Sequence, residues 1–242
     1  NCRGALVTGA ARRLGAAIAR ALHSRGYHVA VHVNRSISDG QALVDELNGS
    51  RSGSASLQVG DLCVSGACED LIERCLAWSG RLDVLVNNAS SFYPTPIGQA
   101  TEEHWDDLLS TNLKAPFFLT QAAASALKET RGCVVNMTDI SADKPTLDHP
   151  IYCAAKAGLV NLTKSLARDM APDVRVNAVA PGVILWPADG PDWDERDEAL
   201  RRIPLGAMGT SEEIARAVMY LAAPDSYVTG QVLTVDGGRS LT

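Results

Sequence analysis

Tyr152 and Lys156 are the two residues whose type and spacing most directly suggest chemistry. They lie four positions apart in a segment of helical period, so their side chains share one face of a helix. An ammonium group near a phenol favours the phenolate and lowers the pKa of the phenol, which would make Tyr152 a general acid/base near neutral pH. Because Tyr-x-x-x-Lys also occurs by chance on many helix surfaces, this interpretation needs support from other motifs.

A turn containing two glycines follows the first apolar run of the chain. The segment TGAARRLG, from Thr8 to Gly15, leads directly into a segment of helical period. Between a strand and a helix, such a turn lets backbone N–H groups approach a pyrophosphate at the helix N-terminus. Gly9 and Gly15 supply the tight turn and the close packing that this approach requires. The segment therefore predicts a dinucleotide-binding site.

The residues after the second apolar run decide between the two nicotinamide cofactors. An NAD-specific site places a carboxylate there to bind the ribose hydroxyls. This sequence has Asn34, Arg35 and Ser36 instead. A planar guanidinium beside a hydroxyl at the start of a helix suits the 2′-phosphate of NADP. A lone arginine in a loop is usually solvated, but Arg35 occupies the discriminating position, and we predict NADPH.

Apolar runs of strand length alternate with segments of helical period along the chain. We expect strands over 4–8, 27–33, 55–59, 82–88, 132–138, 174–180 and 231–236, and helices over 13–25, 37–48, 64–79, 101–128 with a break near Pro116, 151–170 and 211–222. Continuous apolar strands separated by helices predict an α/β fold with a parallel sheet covered on both faces. Since no repeat or linker is visible, residues 1–242 are expected to form a single Rossmann-type domain.

One long stretch, 183–205, shows no regular pattern and is rich in Pro, Asp and Trp. A connection of that length after the sixth strand is usually a lid or a substrate loop. A solvated acidic excursion is the alternative. Within the stretch, Trp186 either closes over the substrate or packs the loop down, and the sequence favours neither.

The composition excludes several classes of protein. A length of 242 residues, with 46% hydrophobic and 21% charged residues, excludes a disordered chain. No uninterrupted apolar run reaches membrane-spanning length, and a net charge of -6 disfavours general nucleic-acid binding. The first residues show no signal peptide. We therefore expect a cytoplasmic protein with neither a membrane nor a nucleic-acid partner.

The cysteines and histidines form no metal-ligating pattern. None of the six cysteines belongs to a CxxC pair, and Cys63 and Cys68 lack a matching second pair for zinc. Reduced thiols used as small apolar residues are the expected state. His28 and His32 fall on one face of the second strand, with no further ligand candidates nearby. We expect no metal and interpret both histidines as structural.

Joined with Asn112, NNA at 87–89 and PG at 181–182, these motifs resemble the short-chain dehydrogenase/reductase family over essentially the whole chain. The resemblance implies a doubly wound, seven-stranded parallel sheet and usually a homotetramer. It implies that Tyr152 handles the proton, that Lys156 binds the nicotinamide ribose and tunes Tyr152, and that Asn112 holds a water linking Lys156 to solvent. It also implies a cofactor site formed by Gly9, Arg13, Leu14, Gly15, Asn34, Arg35, Ser36, Asp61 (at the adenine), Leu62, Asn88, Ala89, Ser90, Lys156, Pro181, Gly182 and Ile184.

Three positions depart from the common pattern of that family. Arg13 replaces the middle glycine of the first turn, NNAG becomes NNAS and continues as SSFYPTP over 90–96, and Asp139 replaces the serine expected thirteen positions before Tyr152. A carboxylate at that position would repel a developing alkoxide, which argues against an ordinary ketone reductase. Ser141 remains a candidate for a displaced hydroxyl.

All three departures resemble one subgroup, the pteridine reductases. That resemblance implies that Phe92 stacks on a pterin ring whose other face meets the nicotinamide, and that Arg13 and Ser90 contact the pterin or the cofactor phosphates. Asp139 would accept hydrogen bonds from pterin amino and ring N–H groups, or relay a proton with Tyr152 through water. Asp139, Tyr152 and Trp186 complete the expected substrate site.

Three functions remain to be weighed. The first is an NADPH-dependent pteridine reductase acting on a pterin or a folate, whose identity the sequence leaves open. The second is a carbonyl or 3-oxoacyl reductase of the same fold that uses Ser141. The third is a non-catalytic NADP-binding or redox-sensing protein, which the complete set of Asn112, Tyr152 and Lys156 disfavours.

Overall fold

The computed structural model describes residues 2–184 and 193–242. In this part of the chain the strands are β1 (Gly4–Val7), β2 (His28–Val33), β3 (Ala55–Val59), β4 (Val84–Asn87), β5 (Cys133–Met137), β6 (Arg175–Pro181) and β7 (Val232–Val235). The helices are α1 (Arg13–Ser24), α2 (Ile37–Ser50), α3 (Ala67–Ser79), α4 (Glu102–Leu109), α5 (Ala115–Thr130), α6 (Pro150–Asp169), α7 (Trp193–Arg201) and α8 (Ser211–Leu221). Short 3₁₀ turns occupy Ile140–Ala142 and Arg239–Leu241.

The strands form a seven-stranded parallel sheet in the order β3-β2-β1-β4-β5-β6-β7. The chain winds outward in one direction from β1 and in the other from β4, so the loops after these two neighbouring strands diverge at the sheet centre. Leu6 of β1 is in register with Ala30 of β2 and with Leu85 of β4. A crevice forms at such a switch point, beyond the carboxyl ends of the strands. The predicted doubly wound Rossmann fold is confirmed.

Successive residues of each strand face opposite layers of the core. In β1, Ala5 and Val7 pack among α1, α2 and α8, whereas Leu6 packs among α3, α5 and α6. Since side chains alternate between the two faces of a strand, both faces must be apolar when helices cover both sides. This arrangement explains why the strands form continuous apolar runs in the sequence.

The predicted helix over 101–128 is interrupted slightly earlier than expected. A π-helical turn over Ser110–Lys114 separates α4 from α5. Pro116 lies in the first turn of α5, where a missing N–H costs no hydrogen bond. The proline therefore begins a new helix, and the distortion precedes it.

The stretch predicted to be irregular contains α7, which is a correction to the sequence-based expectation. Its sequence, WDERDEALR, is rich in charged residues, several of which favour helices, but it has few apolar residues to mark a helical period. Trp186 lies outside the described residues. Among the residues that are described, no helix is both long and apolar enough to cross a membrane.

Candidate active site

A cavity of about 1020 Å³ opens at the carboxyl edge of the sheet. Its lining brings together most of the residues singled out in the sequence, from loops after six different strands. They are Gly9, Arg13, Leu14, Gly15, Asn34, Arg35, Ser36, Asp61, Leu62, Asn88, Ala89, Ser90, Phe92, Asp139, Tyr152, Lys156, Pro181, Gly182 and Ile184. Ligand sites are commonly about 300–1,000 Å³, so the cavity suits a large ligand or two ligands side by side.

The loops after β1 and β4 are joined across the switch point by Thr8. Its hydroxyl oxygen accepts hydrogen bonds from the backbone N–H groups of Asn88 and Ala89, each at 2.9 Å. The side-chain amide of Asn88 returns a hydrogen bond to the Thr8 carbonyl at 2.8 Å. The glycine turn and the NNAS segment therefore form one rigid wall of the cavity.

The glycines of the turn are required by close backbone contacts. Gly9 has φ +60°, and a Cβ there would lie 2.8 Å from the Cα of Ala89. A Cβ on Gly15 would lie 2.5 Å from the carbonyl oxygen of Gly9. Arg13 adopts φ +54°, a left-handed conformation that ordinarily favours glycine. Arg13 thus stands at the position of the middle glycine of the common family pattern and has a backbone conformation that glycine favours.

Helix α1 presents its N-terminus to the cavity. In the described structure, the side chain of its N-cap residue, Arg12, makes no capping hydrogen bond, and the first turn contains no acidic residue. The first N–H groups of a helix lack intrahelical partners and favour an anion. This end of α1 is therefore suited to a phosphate group.

A second group of polar residues lies where β2 leads into α2. Asn34 and Arg35 are exposed, and Ser36 is the N-cap residue of α2. Arg12 also lines the cavity, and its Nε donates a hydrogen bond to Asp39 Oδ2 at 2.8 Å. Arg12 was not among the predicted site residues, although it directly precedes Arg13 in the glycine turn.

The Tyr152 hydroxyl donates a hydrogen bond to Asp139 Oδ2 at 2.9 Å. The other oxygen of Asp139 accepts a hydrogen bond from the backbone N–H of Ser141 at 2.7 Å, because Asp139 caps the 3₁₀ turn after β5. The cap fixes the direction of the carboxylate and leaves one oxygen facing Tyr152. A carboxylate and a phenol thus form a directly bonded pair at the cavity wall.

Lys156 lies beside this pair but does not bond to the phenol oxygen. Its Nζ lies 5.5 Å from the centroid of the Tyr152 ring and donates to the Met137 carbonyl at 2.9 Å. Burial lowers the pKa of Lys156 to about 8, opposed by the attraction of Asp139. The ammonium is therefore close to its titration range near neutral pH.

The pKa of Tyr152 shifts in the direction opposite to the one expected from the sequence. Burial raises it, and the charge and hydrogen bond of Asp139 raise it further. The phenolate would be stranded beside a carboxylate in a poorly solvated position. The expectation that the pKa of Tyr152 is lowered was wrong, because it was based on Lys156 and not on Asp139, which faces the hydroxyl.

Asn112 lies in the π-helical turn, fully buried behind the cavity. Its amide nitrogen donates to the carbonyls of Ser91 and Leu108, both at 2.9 Å, and its oxygen accepts from Ser90 Oγ at 2.6 Å. Asn112 thereby ties the segment that carries Phe92 to the turn between α4 and α5. Its expected role in holding a water stays a prediction.

Phe92 lines the cavity with 53% of its surface exposed. Its ring stacks on His149 at a centroid distance of 4.5 Å and meets the Tyr152 ring nearly at right angles at 4.8 Å. An exposed aromatic ring beside the catalytic candidate offers a flat apolar surface to a planar ligand. His149, which lies just before α6 in a segment without periodicity, was not predicted from the sequence.

Ser141 occupies a different environment from the one required of a displaced catalytic hydroxyl. It is 2% exposed, and in the described part of the chain its Oγ has no hydrogen-bond partner. It is not among the described residues that line the cavity. Asp139, through its carboxylate, occupies the position facing Tyr152.

The described residues contain no group of three or more His, Cys, Asp or Glu side chains placed to hold a metal ion. His32, interpreted from the sequence as structural, does line the cavity. His28 instead faces Trp78, at a centroid distance of 5.8 Å.

Comparison with known proteins places this architecture in a family. A family model described as enoyl-(acyl carrier protein) reductase matches residues 9–240. The chain belongs to the short-chain dehydrogenase/reductase family and is an oxidoreductase.

Curated relatives with different substrates in their names align over nearly the full chain. Pteridine reductase 1 of Leishmania tarentolae is 38% identical over 279 aligned positions, covering 98% of this chain and 96% of the relative. A 3-oxoacyl-(acyl-carrier-protein) reductase of Staphylococcus epidermidis is 35% identical and covers 98% of both chains. L-xylulose reductase of Bos taurus is 35% identical, covering 98% of this chain and 96% of the relative.

Proposed function

We propose that this chain is an NADPH-dependent pteridine reductase that reduces a C=N bond of an oxidised or dihydro pterin or folate. The observation that carries the proposal is the hydrogen bond of 2.9 Å between Tyr152 and Asp139, with the exposed ring of Phe92 beside it. The similarity to a pteridine reductase at 38% identity supports the same substrate class.

The residues around the cavity fit a dinucleotide. Gly9 and Gly15 permit the tight turn, and the uncapped N-terminus of α1 would hold the pyrophosphate. Arg35 and Arg12, with the hydroxyl of Ser36, would hold a 2′-phosphate, which favours NADPH over NADH. Asp61 and Leu62 line the cavity beyond β3, where the adenine would lie. The nicotinamide supplies a hydride when bound.

Tyr152 and Asp139 have different roles: Tyr152 would donate a proton, and Asp139 would accept hydrogen bonds from the substrate. Because the pKa of Tyr152 is raised, the phenol holds a proton at neutral pH. The ring nitrogen that becomes anionic on hydride transfer would be basic enough to take that proton, and the phenolate would then regain a proton from solvent. Asp139 accepts hydrogen bonds, which suits the amino and ring N–H groups of a pterin. Phe92 provides a surface that aligns a flat heterocycle.

The same contacts weigh against reduction of a ketone or a 3-oxoacyl thioester. Carbonyl reduction develops negative charge on oxygen, and the Asp139 carboxylate beside Tyr152 would oppose that charge. Ser141, the hydroxyl required by this alternative, is buried away from the cavity lining. A non-catalytic role is less well supported, because Tyr152 and Lys156 both line the cavity.

The test is NADPH oxidation by the purified protein, followed by the loss of reduced-nicotinamide absorbance. Four substrates are offered separately: biopterin, dihydrobiopterin, dihydrofolate and an acetoacetyl thioester. The proposal expects turnover of at least one pterin or folate and little of the thioester. Turnover of the thioester alone would overturn the proposed substrate class.

We also propose that residues 1–242 work as a single domain and that the protein assembles as a homotetramer. The continuous sheet, whose strands come from both halves of the chain, supports the first statement. Membership of the short-chain dehydrogenase/reductase family supports the second.

A further inference from the structure

His32 is a buried histidine at the cavity whose two ring nitrogens both contact backbone. It lies near the carboxyl end of β2 and is 2% exposed. Its Nδ1 accepts a hydrogen bond from the N–H of Gly9 at 3.3 Å. Its Nε2 lies 3.1 Å from the carbonyl oxygen of Gly60. One side chain thus bridges the glycine turn after β1 and the loop after β3.

The partners of His32 define its tautomer. A backbone N–H can only donate and a carbonyl can only accept, so Nδ1 must be unprotonated and Nε2 must carry the hydrogen. A protonated imidazole would place a second N–H against that of Gly9 and break the contact. The bridge therefore requires the neutral ring.

Backbone hydrogen bonds around His32 reinforce the same connection. The His32 carbonyl accepts from the N–H of Ala10 at 2.9 Å, so two successive N–H groups of the glycine turn bind to one residue. The N–H of Gly60 in turn donates to the Val33 carbonyl at 3.0 Å. Gly60 immediately precedes Asp61, which lines the cavity.

We propose that His32 is a positioning residue for the dinucleotide, and that its neutral ring holds the Gly9 turn and the Gly60–Asp61 loop at a fixed separation. This inference rests on the proposed function, in which the turn binds the pyrophosphate and the loop meets the adenine. His32 would act on cofactor affinity through these two segments and would not contact the substrate.

The electrostatic surroundings agree with a neutral ring. Burial, together with the positive charge of Arg74, lowers the pKa of His32 to about 4. The Gly60 carbonyl and the Asp61 carboxylate act in the opposite direction and are outweighed. The ring is therefore uncharged at the pH of ordinary enzyme assays.

The test compares His32→Asn and His32→Leu with the unaltered protein. In His32→Asn, the amide oxygen can replace Nδ1 as acceptor for Gly9, but the side chain is too short to bridge to Gly60. His32→Leu loses both contacts. Dissociation constants for NADPH and NADH are measured by nucleotide fluorescence without substrate. We expect the NADPH constant to rise about tenfold in His32→Leu and by less in His32→Asn, as for one or two lost hydrogen bonds.

Steady-state kinetics separate positioning from a general loss of structure. KM for NADPH should rise in both variants, whereas kcat at saturating NADPH should stay within about twofold. His23→Leu is the matched control, since His23 is also buried and lies 2.6 Å from Ser54 Oγ without lining the cavity. It should lower the melting temperature and leave the NADPH dissociation constant unchanged.

Each outcome decides a separate statement. The role of His32 would be overturned if the dissociation constant for NADPH were unchanged in His32→Leu, or if it rose equally in His23→Leu. If the unaltered protein binds NADPH but reduces no pterin, the substrate class fails while the His32 comparison still stands. If the unaltered protein binds neither dinucleotide, the proposed function and the role of His32 both fail.

Discussion

At the scale of single residues, the site is defined by what faces the phenol of Tyr152. The sequence correctly placed Tyr152 and Lys156 on one helix, because a spacing of four residues is a local property. It did not predict the direction in which the pKa of Tyr152 moves, since that depends on Asp139, which follows β5. Contacts between distant segments decide such shifts.

Replacing Asp139 by Ser tests the carboxylate directly. We expect kcat/KM for the pterin to fall about 100-fold or more, the usual range for a lost acid–base group, because the variant removes the acceptor for pterin N–H groups and the partner of Tyr152. The NADPH dissociation constant should not change. Asp143→Ser, at an exposed position outside the cavity lining, serves as the control. Full pterin turnover by Asp139→Ser would refute the assigned role.

Arg35→Asp tests the preference for NADPH. The variant replaces a cation with a carboxylate near the expected 2′-phosphate, so KM for NADPH should rise about 10- to 100-fold while KM for NADH changes little. The measurement is steady-state kinetics with each dinucleotide. Arg25→Asp, an exposed position at the end of α1, controls for a general change of charge. Equal effects on both dinucleotides would contradict the phosphate contact.

The lowered pKa of Lys156 predicts a fall in activity on the alkaline side of the pH profile, which we call the alkaline limb. Its pKa lies at about 8, so the ammonium that would bind the nicotinamide ribose is present below that pH and is lost as pH rises through it. We expect kcat/KM for NADPH to decline above about pH 8 as the charge is lost. Lys156→Arg keeps a charge at all these values and should remove the limb, whatever its absolute rate. A limb of the same pKa in Lys156→Arg would assign it to another group.

At the scale of elements, the segment after β4 is held by α4 and by the π-helical turn. Ser90 and Ser91 bond to Asn112, while the hydroxyl of Tyr93 donates to Asp107 Oδ2 at 2.8 Å. Phe92 lies between these anchors. The sequence indicated a break near Pro116, but no local signal distinguishes a π-helical turn from an ordinary helix end.

Tyr93→Phe tests whether this anchoring matters for the substrate. Burial and Asp107 raise the pKa of Tyr93 to about 12, so its hydroxyl is a donor throughout the working pH range. Losing one hydrogen bond to a charged group should raise KM for the pterin about 5- to 20-fold by loosening Phe92. The NADPH dissociation constant should stay the same. Tyr220→Phe, on the exposed face of α8, is the control, and an effect of equal size there would contradict the anchor.

At the scale of the whole molecule, buried amides connect the middle of the sheet to a helix. The Asn87 side chain of β4 donates to Asn136 Oδ1 of β5 at 2.8 Å, and Asn136 donates to Thr163 Oγ1 of α6 at 2.9 Å. Asn136 and Thr163 are completely buried. Since buried polar groups are costly unless bonded, this chain of contacts fixes α6, which carries Tyr152, against β5, which leads to Asp139.

Asn136→Ala should therefore destabilise the protein by about 1–3 kcal/mol. It removes one buried hydrogen bond from Asn87 and one from Thr163, which keep only their contacts to Pro116, Thr120 and Leu159. Denaturant unfolding measures the change in the free energy of unfolding. Asn161→Ala, on the exposed side of α6, is the control and should cost about 0.5 kcal/mol or less. A loss below that value in Asn136→Ala would show that the amides contribute little to packing.

Most of the global architecture follows from the sequence because each strand is apolar on both faces and each connection is long enough for a helix. The carboxyl ends of parallel strands then gather the motifs at one edge. What the sequence left out depends on polar contacts between segments. Arg12 and His149 stand in local patterns with no distinctive period, and α7 is too polar to be marked by apolar residues. The pattern of β2 contains His32, but its contacts with Gly9 and Gly60 join segments that are distant in the sequence.

The hydroxyl of Thr8, which follows β1 and bonds across the switch point to the chain after β4, has a consequence for building hybrids. The half up to β3 carries the glycine turn and Arg35, and the half from β4 carries Phe92, Asp139 and Tyr152, together with further cavity residues such as Asn88 and Lys156. A hybrid that takes its second half from a relative needs a main chain after β4 that can still make these hydrogen bonds to Thr8. When two such proteins are combined, the residues around Thr8 are therefore the first place to check whether the two halves fit.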